Sequence, residues 1–231
     1  DTAASARPMI DTHCHLDAAE FSTDYRAASA LARAAGVTRI IVPGVSVACF
    51  PRQKFVVATT PGAYAAYGIH PLYLTQSDSG DLQQLRHYLQ QERPVAVGEI
   101  GLDYHMDYDD DIAPAPHSVQ IDCMARQLEL AVCRNVPVEL HLRHEDTDQE
   151  RTSHVDAYNV LREVGVPQAG CVLHCFGEDR ATMERFVELG CYIAYGGAAT
   201  FKRNDDVREA FAATPLDRIL FETDCPYMAP E

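Results

Sequence analysis

Five short apolar segments, spread along the whole chain, each end in one or two residues that can bind a metal ion. The residues at these ends are His13 with His15, Glu99, His141, His174 and Asp224. A single polar residue is common at the end of a strand. Five segments that all end in an imidazole or a carboxylate predict one shared site, because both groups are ligands of divalent ions.

The first of these segments shows the expected geometry. Because successive side chains of a strand point to opposite faces, His13 and His15 share one face and Cys14 takes the other. Two neighbouring imidazoles are a poor part of an apolar core. They therefore predict half of a metal site at the end of a strand.

The spacing of these ends predicts the fold class. The interval is 29 residues from His70 to Glu99, 33 from His141 to His174 and 50 from His174 to Asp224. A strand, a loop and a crossover helix together take roughly 30 residues, so these intervals hold one, one and two units. The predicted strands begin near Met9, Thr38, Ala63, Val95, Val138, Gly170, Cys191 and Arg218. Eight such units predict a single-domain α/β fold, a TIM-type (β/α)8 barrel with its active site at the carboxyl ends of the strands.

Helical patterns lie between the predicted strands. Apolar residues recur at helical spacing in five segments: 25–35, 119–134, 152–164, 180–189 and 205–213. Asp179 and Asn204 are expected to cap two of these helices, because a short side-chain acceptor can satisfy free amide groups at a helix start.

The two ends of the chain lie outside this pattern. Residues 1–8 are interpreted as a leader or an expression remnant, which leaves 9–231 as the barrel. Only seven residues follow Asp224, so the last helix of the barrel is expected to be absent. No apolar run approaches the length that spans a membrane.

Composition limits the function further. The net charge of −15 argues against a broad nucleic-acid surface, because such surfaces neutralise phosphates with Lys and Arg. It does not exclude a phosphate ester as substrate. No two of the eight cysteines form a CxxC motif. We therefore expect reduced thiols, and with them a cytoplasmic protein, rather than a disulfide framework.

The motifs together resemble those of a known family. They are Asp11-Thr12-His13-Cys14-His15, Gly68-Ile69-His70-Pro71, Gly98-Glu99-Ile100-Gly101-Leu102-Asp103-Tyr104, His141-Leu142-Arg143, His174-Cys175-Phe176 and Glu222-Thr223-Asp224-Cys225-Pro226. In this order they closely resemble the TatD family of metal-dependent deoxyribonucleases. The resemblance implies an amidohydrolase-type barrel, two divalent cations, and hydrolysis of phosphodiester bonds at DNA ends or in damaged DNA. The expected partner is DNA or a nucleotide phosphodiester substrate, and no membrane and no obligate protein partner are expected.

Two features depart from the family pattern. Gly177 and Glu178 follow Phe176, where family members usually have a serine. The closing helix that follows the Thr-Asp-x-Pro motif in the family is absent.

The ligand chemistry agrees with the resemblance. His13, His15 and Asp224 are expected to hold one ion, His141 and His174 the other, and Glu99 to bridge them. The ions could be Zn, Mg, Mn, Fe or Co, because His and carboxylate ligands accept all of these. Asp224 is also expected to take the proton of the attacking water, and Glu99 and Asp224 are therefore assigned as catalytic.

Two further residues are expected to contact the substrate. His70 ends the third strand on the same rim as the ligands, and we assign it to the substrate or leaving group, with a structural turn before Pro71 as the alternative. Arg143 is assigned to a phosphate, with a solvated or structural ion pair as the alternative.

Other polar residues are given supporting or surface roles. Asp11 and Glu222 each precede a ligand by two residues and are expected to orient ligand imidazoles. The histidines expected at the surface are His105, His117, His144 and His154. The acidic run 107–111 is expected to be a solvated loop.

Two other functions are compatible with the sequence. The same ligands could hydrolyse a C–N or ester bond, as other amidohydrolase-type barrels do. The chain could also be a metal-binding barrel without enzymatic activity, although the intact ligand set argues against it.

Overall fold

Eight parallel strands form one sheet in sequence order, β1 to β8. A computed structural model describes residues 8–22, 24–76, 80–105 and 114–231. The strands are β1 Met9–Asp11, β2 Val37–Pro43, β3 Ala63–Tyr67, β4 Ala96–Asp103, β5 Val138–Arg143, β6 Cys171–Leu173, β7 Tyr192–Tyr195 and β8 Ile219–Phe221. The helices are α1 Tyr25–Ala34, α2 Phe50–Ala58, α3 Asp81–Gln91, α4 His117–Arg134, α5 Thr152–Val164, α6 Arg180–Glu188 and α7 Asp205–Ala213. The TIM-type (β/α)8 barrel is confirmed.

The first and last strands are brought together just beyond their ends. Thr12 N donates to Phe221 O at 3.1 Å, and Asp224 N donates to His13 O at 2.9 Å. His15 N donates to Cys225 O at 2.8 Å. These bonds place Asp224 beside the two histidines although more than two hundred residues separate them in the chain.

The core follows the predicted periodicities. All eight residues of β4 are buried, as expected for a central parallel strand covered on both faces. Met124, Leu128 and Ala131 of α4 are fully buried. They are four and three residues apart, so they lie on one face of the helix. This face of α4 packs against the sheet and fixes the strands whose carboxyl ends carry the site.

One of the two predicted caps is confirmed and the other is wrong. Asp179 accepts a hydrogen bond from Thr182 N at the start of α6, as predicted. Asn204 makes no such cap on α7, because its Nδ2 amide donates to Ala198 O at 2.8 Å. The side chain is used to hold the preceding turn instead.

Strand β4 differs from its expected form. The sequence suggested a strand that ends at Glu99, but β4 continues to Asp103. Its pairing with β5 shifts register between Val97 and Ile100. Such an irregularity changes the direction of a side chain within a strand. Here the irregular stretch includes Glu99.

The outer faces of β1 and β8 are open. No helix follows β8 in the part of the chain that the structure describes, and Met9, Ile10 and Phe221 are exposed. Among the described residues, none of the helices is both long enough and apolar enough to cross a membrane. Residues 1–7 of the expected leader lie outside the described residues, as does the acidic run 107–111.

Candidate metal centre

Six side chains meet at the carboxyl ends of the strands. We call them the metal cage: His13, His15, Glu99, His141, His174 and Asp224. The first group lies at the seam between β1 and β8. The Nε2 atoms of His13 and His15 are 3.2 Å apart, and each lies 3.5 Å from Asp224 Oδ1 and 3.6 Å from Glu99 Oε2.

The second group lies over β5 and β6. His141 Nδ1 and His174 Nε2 are 3.3 Å apart. These atoms lie 3.1 Å and 2.7 Å from Glu99 Oε1. Glu99 therefore turns one carboxylate oxygen towards each group of histidines.

The residues present fit divalent cations. Ligand atoms around an ion at 2.0–2.2 Å are separated by about 3 to 3.6 Å, close to the distances between the ring nitrogens and Glu99. Imidazole and carboxylate are ligands for Zn, Mn, Fe and Co, and carboxylate also for Mg. Four imidazoles turned towards one buried carboxylate are poorly explained by hydrogen bonding alone.

Two carboxylates lie beside imidazole rings of the cage. Asp103 Oδ2 lies 2.8 Å from His141 Nε2, and Glu222 Oε1 lies 3.5 Å from His174 Nδ1. Such partners fix which nitrogen of a ligand imidazole carries the proton. Glu222 was expected in this role, whereas Asp103 was missed. Its position four residues after Glu99 in β4 is the signal that could have identified it.

Asp11 does not contact an imidazole, so its expected role is wrong. Its Oδ1 accepts hydrogen bonds from His13 N at 3.2 Å and Thr223 N at 3.0 Å. Its Oδ2 accepts one from Thr223 Oγ1 at 2.7 Å. Asp11 therefore joins the backbones that carry His13 and Asp224.

Glu139 is a second residue that sequence reasoning missed. Its Oε1 lies 3.8 Å from His13 Nδ1, and burial raises the pKa of Glu139 well above its usual range. Neither His13 Nδ1 nor Glu139 Oε2 has a hydrogen-bond partner among the described residues. A Cβ on Gly98 would lie 2.7 Å from Glu139 Cβ, so only glycine fits there.

The cage is electrostatically prepared for cations. Burial opposes ionisation of Glu99, but His174, His70 and His13 lower its pKa well below its usual range. Burial also disfavours a charge on His141, yet hydrogen bonds to Asp103 and Glu99 raise its pKa to about 9. Without ions, the raised pKa of His141 favours its protonated form. Cation binding is therefore expected to release protons.

His70 lies against the cage, and its Nε2 atom is placed to donate a hydrogen bond rather than to bind a metal. Leu72 N donates to His70 Nδ1 at 3.1 Å, which makes Nδ1 an acceptor. Burial lowers the pKa of His70, so the neutral ring carries its proton on Nε2. That atom lies 3.4 Å from Glu99 Oε1. A protonated Nε2 has no lone pair for a metal and can only donate.

The remaining predicted residues divide into two groups. Arg143 is exposed at the end of β5. Burial opposes ionisation of Asp103, but His141, His70 and, to a smaller extent, the charge of Arg143 lower its pKa. Among the histidines expected at the surface, His117 is exposed and stacks on Tyr104 with ring centroids 3.5 Å apart. His154 is buried, which contradicts the expectation, because the first turn of α5 packs towards the barrel rim.

Comparison with known proteins identifies relatives over nearly the full chain. The family model described as TatD related DNase matches residues 10–231. The uncharacterized metal-dependent hydrolase YabD of Bacillus subtilis is 31% identical over 222 residues, which cover 96% of this chain and 82% of YabD. The 3'-5' ssDNA/RNA exonuclease TatD of Pantoea vagans is 29% identical over 224 residues, 96% of this chain and 81% of that protein.

A solved structure agrees with the sequence relatives. The crystal structure of the TatD homologue YjjV from Escherichia coli superimposes with a TM-score of 0.84 at 36% identity. The match covers 96% of this chain and 81% of that one. Fold and sequence therefore point to the same relatives.

Proposed function

The chain belongs to the TatD family of metal-dependent hydrolases, and from this we propose that it hydrolyses DNA phosphodiester bonds from a strand end. The observation that carries the proposal is the position of Glu99 between two groups of histidines, with one oxygen turned to each. The name of the Pantoea vagans relative, an exonuclease on single-stranded DNA and RNA, supports the substrate class.

The metal cage would hold two divalent cations. His13, His15 and Asp224 would bind one, His141 and His174 the other, and Glu99 both. When bound, such a pair polarises a phosphoryl oxygen and lowers the pKa of water towards neutrality. The cage residues set the positions of the ions, and the buried carboxylates beneath them hold the rings in place.

Asp224 is proposed as the proton acceptor. Its Oδ1 faces His13 and His15 at 3.5 Å, and its backbone is held by the bond from Asp224 N to His13 O. The backbone at Asp224 is in the left-handed region, with φ 55°, a strained conformation that residues at functional sites often adopt. A carboxylate held here with a second oxygen available can accept the proton of the attacking water.

His70 is proposed to contact the substrate. Its Nε2 carries a proton and faces the space beside Glu99, where a phosphate oxygen or the leaving oxygen would lie. A neutral donor there stabilises charge that develops on oxygen during the reaction. Arg143, at the exposed end of β5, is proposed as a contact to a phosphate further along the strand.

Replacing His70 with alanine is expected to lower turnover by about 10²-fold or more, the scale for loss of one donor to developing charge. The ion content should not change, because His70 Nε2 has no lone pair for a metal. Steady-state kinetics and metal analysis of the same preparation measure both. Loss of an ion would make His70 a ligand, and unchanged kinetics would make it a turn residue. His87→Ala, at an exposed position on α3, is the matched control.

A substrate comparison tests the proposed reaction. Protein purified without chelator is offered single-stranded and double-stranded oligonucleotides, and in parallel lactones and cyclic amides. The proposal predicts release of nucleotides from oligonucleotide ends and negligible turnover of the others. Turnover of lactones or cyclic amides without nuclease activity would contradict it and indicate a C–N or ester hydrolase.

The location of the enzyme is proposed from its thiols. All eight cysteines are free, and free thiols in this number are typical of a reducing compartment. We therefore propose that the enzyme is cytoplasmic. We also propose that it acts at the ends of DNA strands rather than along their length. The net charge of −15 disfavours tight binding along long DNA.

A further inference from the structure

A second group of potential ligands lies outside the metal cage. It consists of His144, His154 and Glu178, which we call the rim cluster. His144 follows β5, His154 lies in the first turn of α5, and Glu178 lies between β6 and α6. All three therefore come from segments at the carboxyl ends of neighbouring strands, on the same rim as the cage.

The ligand atoms of the rim cluster lie close together. Glu178 Oε1 lies 3.3 Å from His144 Nδ1 and 3.7 Å from His154 Nε2. The three ligand atoms all lie within 4.8 Å of one another. Ligands around a tetrahedral ion at 2.0–2.2 Å are about 3.3 to 3.6 Å apart. The distance of 3.3 Å lies within this range, and the distance of 3.7 Å lies just above it.

Hydrogen bonding explains these contacts poorly. His144 Nδ1 is buried and has no hydrogen-bond partner among the described residues. The 3.7 Å between His154 Nε2 and the carboxylate is too long for a hydrogen bond. His144 Nδ1 lies at ion-pair distance from Glu178 Oε1, whereas His154 Nε2 faces the same oxygen without a hydrogen bond.

The surroundings leave lone pairs on Glu178 Oε1 and His154 Nε2 directed towards the centre of the rim cluster. Arg151 Nε donates to Glu178 Oε2 at 2.6 Å, so Arg151 holds the carboxylate by one oxygen and leaves Oε1 towards the histidines. His154 Nδ1 lies 3.2 Å from Ser153 Oγ. A proton on Nδ1 donated to that hydroxyl leaves Nε2 with its lone pair.

Local charge also favours a cation. Arg151 contributes one positive charge but also pairs with Asp179, with Nη2 and Oδ2 3.0 Å apart. The two carboxylates of Glu178 and Asp179 and the guanidinium of Arg151 together carry a net charge of −1. The His144 side chain is 21% exposed, which gives an ion a path from solvent.

We propose that the rim cluster binds a third divalent cation of the zinc class through His144 Nδ1, His154 Nε2 and Glu178 Oε1. Two imidazoles and one carboxylate are a donor set that zinc and cobalt accept, and three protein ligands leave a fourth position for solvent or a substrate oxygen. Such an ion would tie the segment after β5 to the segment after β6, beside the mouth of the cage. This site does not depend on the proposed phosphodiester hydrolysis.

Zinc content tests the rim cluster directly. Protein saturated with zinc and freed of excess by dialysis is analysed beside Glu178→Gln and His144→Asn. Both variants are expected to hold one zinc per chain fewer than the wild type. Glutamine at position 178 can still accept the hydrogen bond from Arg151, so the conformation of the loop between β6 and α6 should not change. Glu188→Gln, an exposed charge change on α6, and His87→Asn are the matched controls and should lose none.

A variant with a disabled cage separates the two sites. Glu99→Gln, which is expected to abolish tight binding of both cage ions, should retain the rim zinc, and adding Glu178→Gln should remove it. Far-UV circular dichroism verifies that each variant is folded; if Glu178→Gln is not, His144→Asn at its half-buried position decides. Zinc content equal to the wild type in folded Glu178→Gln or His144→Asn would overturn the proposal and leave the rim cluster as an ion-pair network around Arg151.

Discussion

Replacing Glu99 with glutamine is expected to abolish tight binding of both ions and, with it, hydrolysis. Glu99 faces His141 and His174 with one oxygen and His13 and His15 with the other. Loss of a partner outside the ligand set costs about 10–100-fold in metal affinity, and loss of the bridging charge should cost more. Isothermal titration with Mn²⁺ or Zn²⁺ measures the affinity, and oligonucleotide hydrolysis measures the rate.

Glu188→Gln controls for the general effect of removing an acidic group, because Glu188 is exposed on α6. It should bind ions and turn over substrate like the wild type. A folded Glu99→Gln protein that binds two ions with unchanged affinity would show that Glu99 does not bridge them. The assignment of the cage would then have to be abandoned.

Replacing Asp224 with asparagine is expected to lower kcat on the order of a hundredfold or more, the scale for loss of a catalytic proton acceptor. Asparagine keeps an oxygen at the position that faces His13 and His15. The fold and, at saturating metal, most of the ion content should therefore remain. Kinetics measured with excess metal, alongside metal analysis, separate the loss of proton transfer from the loss of an ion.

The control for this change is Asp217→Asn, which removes an exposed carboxylate just before β8. It should leave kcat unchanged. Undiminished turnover by Asp224→Asn would remove Asp224 from the mechanism. A loss of rate that excess metal fully reverses would show that Asp224 acts only as a ligand.

The barrel could be predicted because the ligand-bearing segments recur along the chain at intervals of one or two βα units. A βα unit has a nearly constant length, so the intervals between ligand-bearing segments count the strands. Parallel strands in a barrel carry their carboxyl ends to one rim, and this predicted that residues as distant as His13 and Asp224 would meet. The same rule brought Glu99 between the two groups of histidines.

The orientation of side chains within that rim could not be predicted. The register shift of β4 near Glu99 depends on pairing with β5, which no local pattern records. The Asp103 contact to His141 and the Glu139 approach to His13 depend on the resulting geometry. These contacts decide which ring nitrogen faces the centre of the metal cage.

The histidines outside the cage show the same limit. His154 lies in a polar segment and was expected at the surface, yet the start of α5 turns it inward beside Phe186, with ring centroids 6.3 Å apart. Glu178 meets it from a different βα loop. Polarity of the local sequence therefore predicted exposure, whereas the contact between two loops determines burial.

Removal and return of metal tests the central claim most directly, namely that ions held in the metal cage hydrolyse phosphodiester bonds. Protein stripped with EDTA is assayed on an end-labelled DNA strand before and after addition of Mg²⁺ or Mn²⁺, with Glu99→Gln carried through the same steps to detect a contaminating nuclease. We expect no cleavage by stripped protein, restored release of nucleotides from the strand end on addition of metal, and no cleavage by Glu99→Gln. Cleavage that persists in EDTA, or no cleavage by protein shown to hold two ions, would contradict it.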